Sequence, residues 1–263
     1  MLSSPRYASS YAHLVLILAV ASVAFSHSAT GQSTPSAPSN HRQSVLVELF
    51  TSEGCSDCPP ADALLSRLYT TQFVPGVQAI VLSEHVTYWN HLGWRDPFSL
   101  EQMDQRQQKY GSRFALDGVY TPQVVVDGEE QMVGNDATAV SRAVAHASLA
   151  PKVDLAIDSA QWKDGGVQFS VSGTGSNANL VAALAEDATK SEVAKGENAG
   201  RTLHHVAVVR VLKDFGSDAK GTLELSGSKL TPANGGMPVR LVVFLTDRKS
   251  GRVLGVAERN LLP

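Results

Sequence analysis

The chain of 263 residues has two cysteines, three positions apart, in Cys55-Ser56-Asp57-Cys58. A small fold braced by several disulfides is therefore excluded. A bridge closing so short a loop removes little chain entropy, so a purely stabilising role explains the pair poorly. The residues around it say more. Val45 to Phe50 is a β-rich run, and Asp57 to Tyr69 carries Ala61, Leu64, Leu65 and Leu68 at helical spacing. A strand thus passes through a loop at Gly54, meets the cysteines and continues into an amphipathic helix, with both sulfurs in its first turn. Free backbone N–H groups and the positive end of the helix dipole stabilise a thiolate there, and the thiolate is the reactive form in exchange. Cys55, the outer residue, is expected to stand exposed as nucleophile, with Cys58 resolving the mixed disulfide. Pro59 and Pro60 do no harm at early helical positions.

Beyond this helix the pattern keeps alternating. Val77 to Leu82 reads as a strand, Thr87 to Phe98 as an aromatic loop, and Ser99 to Tyr110 as a polar helix. Val119 to Gly134 holds two short strands around an Asp127-Gly128 turn. Asp136 then caps a helix whose Ala139, Val140, Ala143, Val144 and Ala147 share a face, and Pro151 stops it. After Pro151 the period becomes two, in Val153-Leu155-Ile157 and in Val167-Phe169-Val171. Leu180 to Glu186, Leu203 to Leu212, Val239 to Thr246 and Arg252 to Leu261 are further strands. The expectation is an α/β domain over residues 45–150 followed by an antiparallel β-sandwich-like domain over residues 151–263.

A second motif is Tyr120-Thr121-Pro122 ahead of Gln123-Val124-Val125-Val126-Asp127-Gly128. A proline opening a strand marks an edge or a special turn, and a cis X-Pro bond makes such a turn economically. Strand, Cys-x-x-Cys, helix and a later Thr-Pro at a strand head look like the thioredoxin fold. Val47 to Asp62, with Tyr88-Trp89-Asn90-His91-Leu92-Gly93-Trp94-Arg95-Asp96-Pro97-Phe98 and Val119 to Gln123, more closely resembles an exported bacterial family of thioredoxin-like proteins catalogued as a domain of unknown function. The resemblance runs from about Val45 to Pro263. It implies that the first domain is thioredoxin-like, that Cys55 and Cys58 are a redox pair, that Pro122 is a cis-proline facing them, and that Thr121 offers its backbone to an extended substrate.

Thioredoxin carries Gly-Pro between its cysteines where this chain has Ser56-Asp57, with Glu53 just upstream. Two nearby carboxylates oppose the helix dipole, so the pair is expected to be less oxidising than a dedicated disulfide-forming oxidase. Glu48 lies in an otherwise apolar strand, one position from the site of thioredoxin's buried acid, which here is Leu49. It either relays a proton to Cys58 or is a hydrogen-bonded structural carboxylate. Trp89 and Trp94, with Tyr120, are candidates to line a substrate groove. The competing reading has the two tryptophans covering the sheet while Arg95 pairs with Asp96. Gly196 to His205 reads as a docking loop or, more simply, a hairpin connection, in which adjacent His204 and His205 point to opposite faces.

Composition limits the partners. With 22 Lys+Arg against 25 Asp+Glu, the net charge of -3 gives no footprint for nucleic acid. Arg6, the apolar run Leu14 to Phe25 and the small residues after it read as a signal peptide over residues 1–28, followed by a Ser/Pro/Thr-rich linker over 29–44. That run is too short to span a bilayer stably. The expectation is an exported protein, periplasmic or secreted, with no stable membrane span after cleavage. It would be a thiol-disulfide oxidoreductase acting on protein or peptide thiols, needing neither organic cofactor nor metal because the cysteines carry the electrons. The alternatives are a copper-handling protein using the same thiolates with His85 or His91, and a redox-inert binding module.

Overall fold

Residues 45–51 are buried without alternation, the mark of a strand covered on both faces. The computed structural model describes residues 42–173, 177–219, 221–226 and 238–261, and in it this segment, β1 (Gln43–Thr51), lies inside a large sheet. The leader over residues 1–28 and most of the linker lie outside the described residues. Among the described residues no helix is long and apolar enough to cross a membrane.

β1 leads into α1 (Pro59–Thr71), where Ala61, Leu64, Leu65 and Leu68 are buried as their spacing requires. The helix ends at Gln72, which turns left-handed (φ 48°) and donates its backbone N–H to the Leu68 carbonyl. β2 (Val77–His85) returns parallel to β1. The polar helix α2 runs Glu101–Arg113, later than its periodicity predicts, because Ser99 is held in the preceding turn with its hydroxyl donating to the Asp96 carbonyl. β3 (Gln123–Val126) and β4 (Glu130–Val133) form the expected hairpin, with Asp127 (φ 46°) and Gly128 (φ 63°) both left-handed at its turn. α3 (Ala137–Ala147) starts at Asp136, whose carboxylate accepts from the N–H groups of Thr138 and Ala139.

The second half consists of β5 (Ala156–Lys163), β6 (Gly166–Ser172), β7 (Ala178–Glu186), β8 (Thr189–Glu192), β9 (Thr202–His205), β10 (Val208–Gly216), β11 (Leu223–Leu225), β12 (Val239–Asp247) and β13 (Val253–Leu261). The single strand expected over Leu203 to Leu212 is broken into β9 and β10 at Ala207, where φ is 54°. β10 then joins β2, through Val208 opposite Ser83 and the Ser83 N–H donating to the Ala207 carbonyl. Among the described residues the large sheet therefore has the order β13-β12-β7-β10-β2-β1-β3-β4 and is mostly antiparallel. No break in it coincides with Pro151, and the described residues form one compact unit.

Strands β7 and β12 show how the halves are joined. Val181, Ala183, Ala185, Val242 and Phe244 belong to the core that contains β1 and α1, whereas Leu180, Ala182, Leu184, Leu241, Val243 and Leu245 pack with Val167 and Phe169 of the smaller β11-β6-β5 sheet. Alternation along each strand thus feeds two cores. The molecule is a mixed α/β protein with one large sheet and a smaller sheet packed beside it, rather than an α/β domain followed by a self-contained sandwich.

Candidate functional site around Cys55 and Cys58

Cys55 and Cys58 are joined as a disulfide with their Cα atoms 5.4 Å apart. Cys58 is the N-cap of α1, with Pro59 and Pro60 in the first helical positions, and its carbonyl accepts from the N–H groups of Ala61 and Asp62. Cys55 lies one turn earlier, its own N–H donating to the Ser52 carbonyl. The placement at a helix start is as expected. The exposure is not: Cys55 is 1% exposed and Cys58 fully buried.

The cover comes from both sides. Gly54 is pressed against Trp89, whose Cβ would stand 3.0 Å from any Cβ added there. The Trp89 indole N–H donates to the Thr121 hydroxyl at 2.8 Å, so one side chain spans from the cysteine loop to the Thr121-Pro122 bond, which is cis. The turn at this bond is held from behind by Gln107, which donates to the Tyr120 carbonyl and accepts from the Tyr88 hydroxyl. Burial pushes the Tyr88 hydroxyl up to about 12. The Tyr120 hydroxyl donates to Gln131. From the other side, the buried Asn198 donates to the carbonyls of Glu53 and Cys55, both at 2.9 Å, and Glu197 accepts from the Ser56 N–H.

Beneath the loop is a buried charged cluster. Glu53 accepts from the Trp94 indole at 2.8 Å and from the Ser191 hydroxyl at 3.0 Å, and its other oxygen lies 3.2 Å from His205 Nε2. His205 Nδ1 faces Asp62 of α1 at 3.7 Å. Burial works against a charge on this imidazole, but the adjacent carboxylates of Asp62 and Glu53 prevail and raise it to about 10. His205 is therefore an imidazolium at neutral pH. Asp96 accepts from the Glu53 N–H and lies 2.7 Å from His85 Nδ1. Burial opposes its ionisation, yet His85 and the N–H groups of Glu53 and Phe98 hold it below the usual carboxylate range. Arg95 is exposed, and Asp96 pairs with His85 instead.

The candidates thus fall into three groups. Cys55, Cys58, Trp89, Trp94, Tyr120, Thr121 and Pro122 belong to one continuous region, in which both tryptophans are hydrogen-bonding braces and Trp89 also packs against the main core, as the packing reading has it. His85 is buried within the charged cluster, while His91 is exposed on the surface loop. Glu48 lies elsewhere. Leu49 faces Ala61 of α1 and Pro122 beside Gly134, so alternation turns Glu48 to the opposite face, where Arg106 and the Tyr110 hydroxyl donate to it. The relay from Glu48 to Cys58 is replaced by an ion pair across the sheet. Glu84 shares Arg106 at 3.4 Å, and burial together with the Glu48 charge holds its carboxyl well above the ordinary value.

Asn198 and His205 are residues that sequence reasoning did not assign to the site, and Glu53, expected to act as a free charge near the sulfurs, is instead paired with His205. Alternation correctly separates His204 from His205, and the fold buries His205, but nothing local links either His205 or Asn198 to cysteines more than 140 residues away.

These features define a mixed α/β protein with a buried Cys-x-x-Cys disulfide at a helix start, linked through Trp89 to a cis-proline turn. The chain belongs to the family described as "Protein of unknown function (DUF1223)", whose model matches residues 46–245. Among solved structures it is similar to a crystallised protein from Agrobacterium tumefaciens, at 25% identity and a TM-score of 0.62, over 83% of this chain and 93% of that one. It is also similar to HBP35 of Porphyromonas gingivalis, at 12% identity and a TM-score of 0.52, over 84% and 76% of the two chains, a likeness of fold alone. No curated protein matches the sequence.

Proposed function

We propose that the protein is a thioredoxin-like thiol-disulfide oxidoreductase acting on protein or peptide thiols, and that residues 1–28 direct its export. The observation that carries the reading is the disulfide at the N-cap of α1, tied by Trp89 to the cis Thr121-Pro122 turn. The element order supports it as well: β1, α1 and the parallel β2 form a crossover unit, α2 follows, and the β3–β4 hairpin completes the β2-β1-β3-β4 end of the large sheet ahead of α3.

Chemically, exchange needs no other group. In the reducing direction the Cys55 thiolate attacks one sulfur of a substrate disulfide, forming a mixed disulfide and releasing the other sulfur as a thiolate. The Cys58 thiolate then attacks Cys55 Sγ, breaking the mixed disulfide. Two electrons have passed to the substrate, and the Cys55–Cys58 bond is restored. The reverse sequence oxidises a dithiol. Glu53 is paired with the His205 imidazolium, whereas Asp57, exposed between the two cysteines, and Glu197, on the Ser56 N–H, have no ion-pair partner among the described residues. Reduction of insulin by dithiothreitol, followed by turbidity, tests the reading. Catalysis by the wild type that is lost in Cys55→Ser is expected; a wild-type rate equal to the uncatalysed one would overturn it.

A further inference from the structure

Strands β8 and β9 pair with each other, and among the described residues with no strand of the two larger sheets. Their connection closes on itself through the Gly200 N–H donating to the Val193 carbonyl and the Val193 N–H donating to the Arg201 carbonyl. This hairpin is an arm that reaches Glu53–Ser56 from its tip and from its strands, with Gly196 at the tip set against Trp94. Asn198, fully buried, donates to the carbonyls of Glu53 and Cys55; Glu197 accepts from the Ser56 N–H; Ser191 and His205 hold the Glu53 side chain. Its side chains hold a disulfide whose cysteines have almost no exposed surface.

We propose that Asn198 and the β8–β9 hairpin are a latch over the Cys55–Cys58 disulfide, and that release of Asn198 from the Glu53 and Cys55 carbonyls sets the rate at which thiols reach the sulfurs. A thiolate must approach along the S–S axis to attack, so a buried pair exchanges only from an opened state. Its rate scales with the population of that state. Opening need involve only the tip around Asn198, where it breaks side-chain bonds to the cysteine loop and leaves the β8–β9 pairing and the ladders of the large sheet intact. The latch makes Asn198 a positioning residue that determines accessibility, and it rests on the exchange reading of the site only in that the exposed sulfurs would then act on a substrate.

The experiment uses dithiothreitol, whose two thiols become a cyclic disulfide as Cys55 and Cys58 become thiols, with reduction read by alkylation and mass. Asn198→Ala loses both carbonyl contacts and is expected to be reduced about tenfold faster than the wild type. Glu197→Ala, at an exposed position, is expected to be about threefold faster and keeps the question answerable if Asn198→Ala folds poorly. Val167→Ala, in the distant second core, controls for general loosening and should leave the rate unchanged at a comparable loss of thermal stability. Unchanged reduction rates in both hairpin variants would overturn the latch, as would equal acceleration by Val167→Ala. Accelerated reduction without any insulin activity would sustain the latch and count against the exchange function instead.

Discussion

His205 and Arg106 show how single side chains set the charge balance on the two faces of β1. His205 is raised to about 10 from an ordinary value of 6.5, so between those pH values the folded protein holds a proton that the unfolded chain releases. Its contribution to stability is complete below about pH 6.5 and is lost as the pH climbs through about 10. The melting temperature should therefore fall across that interval, and His205→Gln should flatten the decline; an equally steep profile in the variant would contradict the pairing. On the opposite face, Arg106 compensates Glu48, while burial and the Glu48 charge raise the Glu84 carboxyl well above its ordinary value. Arg106→Met strands a buried carboxylate and is expected to cost about 3 kcal/mol in urea unfolding. Glu84→Gln replaces a carboxyl whose ionisation burial opposes and should cost less than about 1 kcal/mol. Similar losses in the two variants would show that the charges are not divided in this way.

At the scale of elements, the local signals were the legible ones. The apolar spacing of α1, the Asp136 cap, the Asp127-Gly128 turn and the cis Thr121-Pro122 bond are each specified by a few neighbouring residues, and each was readable from sequence. Asp136→Ala should accordingly cost about 1 kcal/mol, since two N–H acceptors at the start of α3 are lost; no measurable change in unfolding midpoint would mean that the cap is idle. What was not legible lies between distant segments. The sequence predicts sulfurs open to solvent because a helix start is ordinarily at a surface. Part of their cover comes from Asn198, 143 residues beyond Cys55, through a side-chain bond that leaves no periodic trace. Glu48 was ambiguous for a related reason: strand alternation gives two faces, and only the position of Arg106 on α2 says which face carries the ion pair.

For the molecule as a whole, the change of hydrophobic period at Pro151 identified where helices give way to strands, but it did not identify a boundary in the sheet. β10 continues the sheet from β2, and β7 and β12 alternate their side chains between the core around α1 and the core under β6. A chain ending at residue 150 would lose Val181, Ala183, Val242 and Phe244 from the first core and expose the β2 edge. Residues 42–150 alone are thus expected to lack a cooperative unfolding transition, whereas residues 42–263 unfold in one step by both far-ultraviolet and tryptophan signals. An independently stable, cooperatively melting fragment of residues 42–150 would contradict this shared core.

The account turns on Cys55 carrying a substrate sulfur while Cys58 waits to displace it. The most direct measurement is intact mass after the Cys58→Ser variant, reduced and freed of reductant, is mixed with an oxidised peptide disulfide. The account predicts a stable adduct of one half-peptide on Cys55 that dithiothreitol removes, with no such adduct on the wild type, where Cys58 releases it. A Cys58→Ser protein that stays at its unmodified mass under conditions where the disulfide is reducible would contradict it.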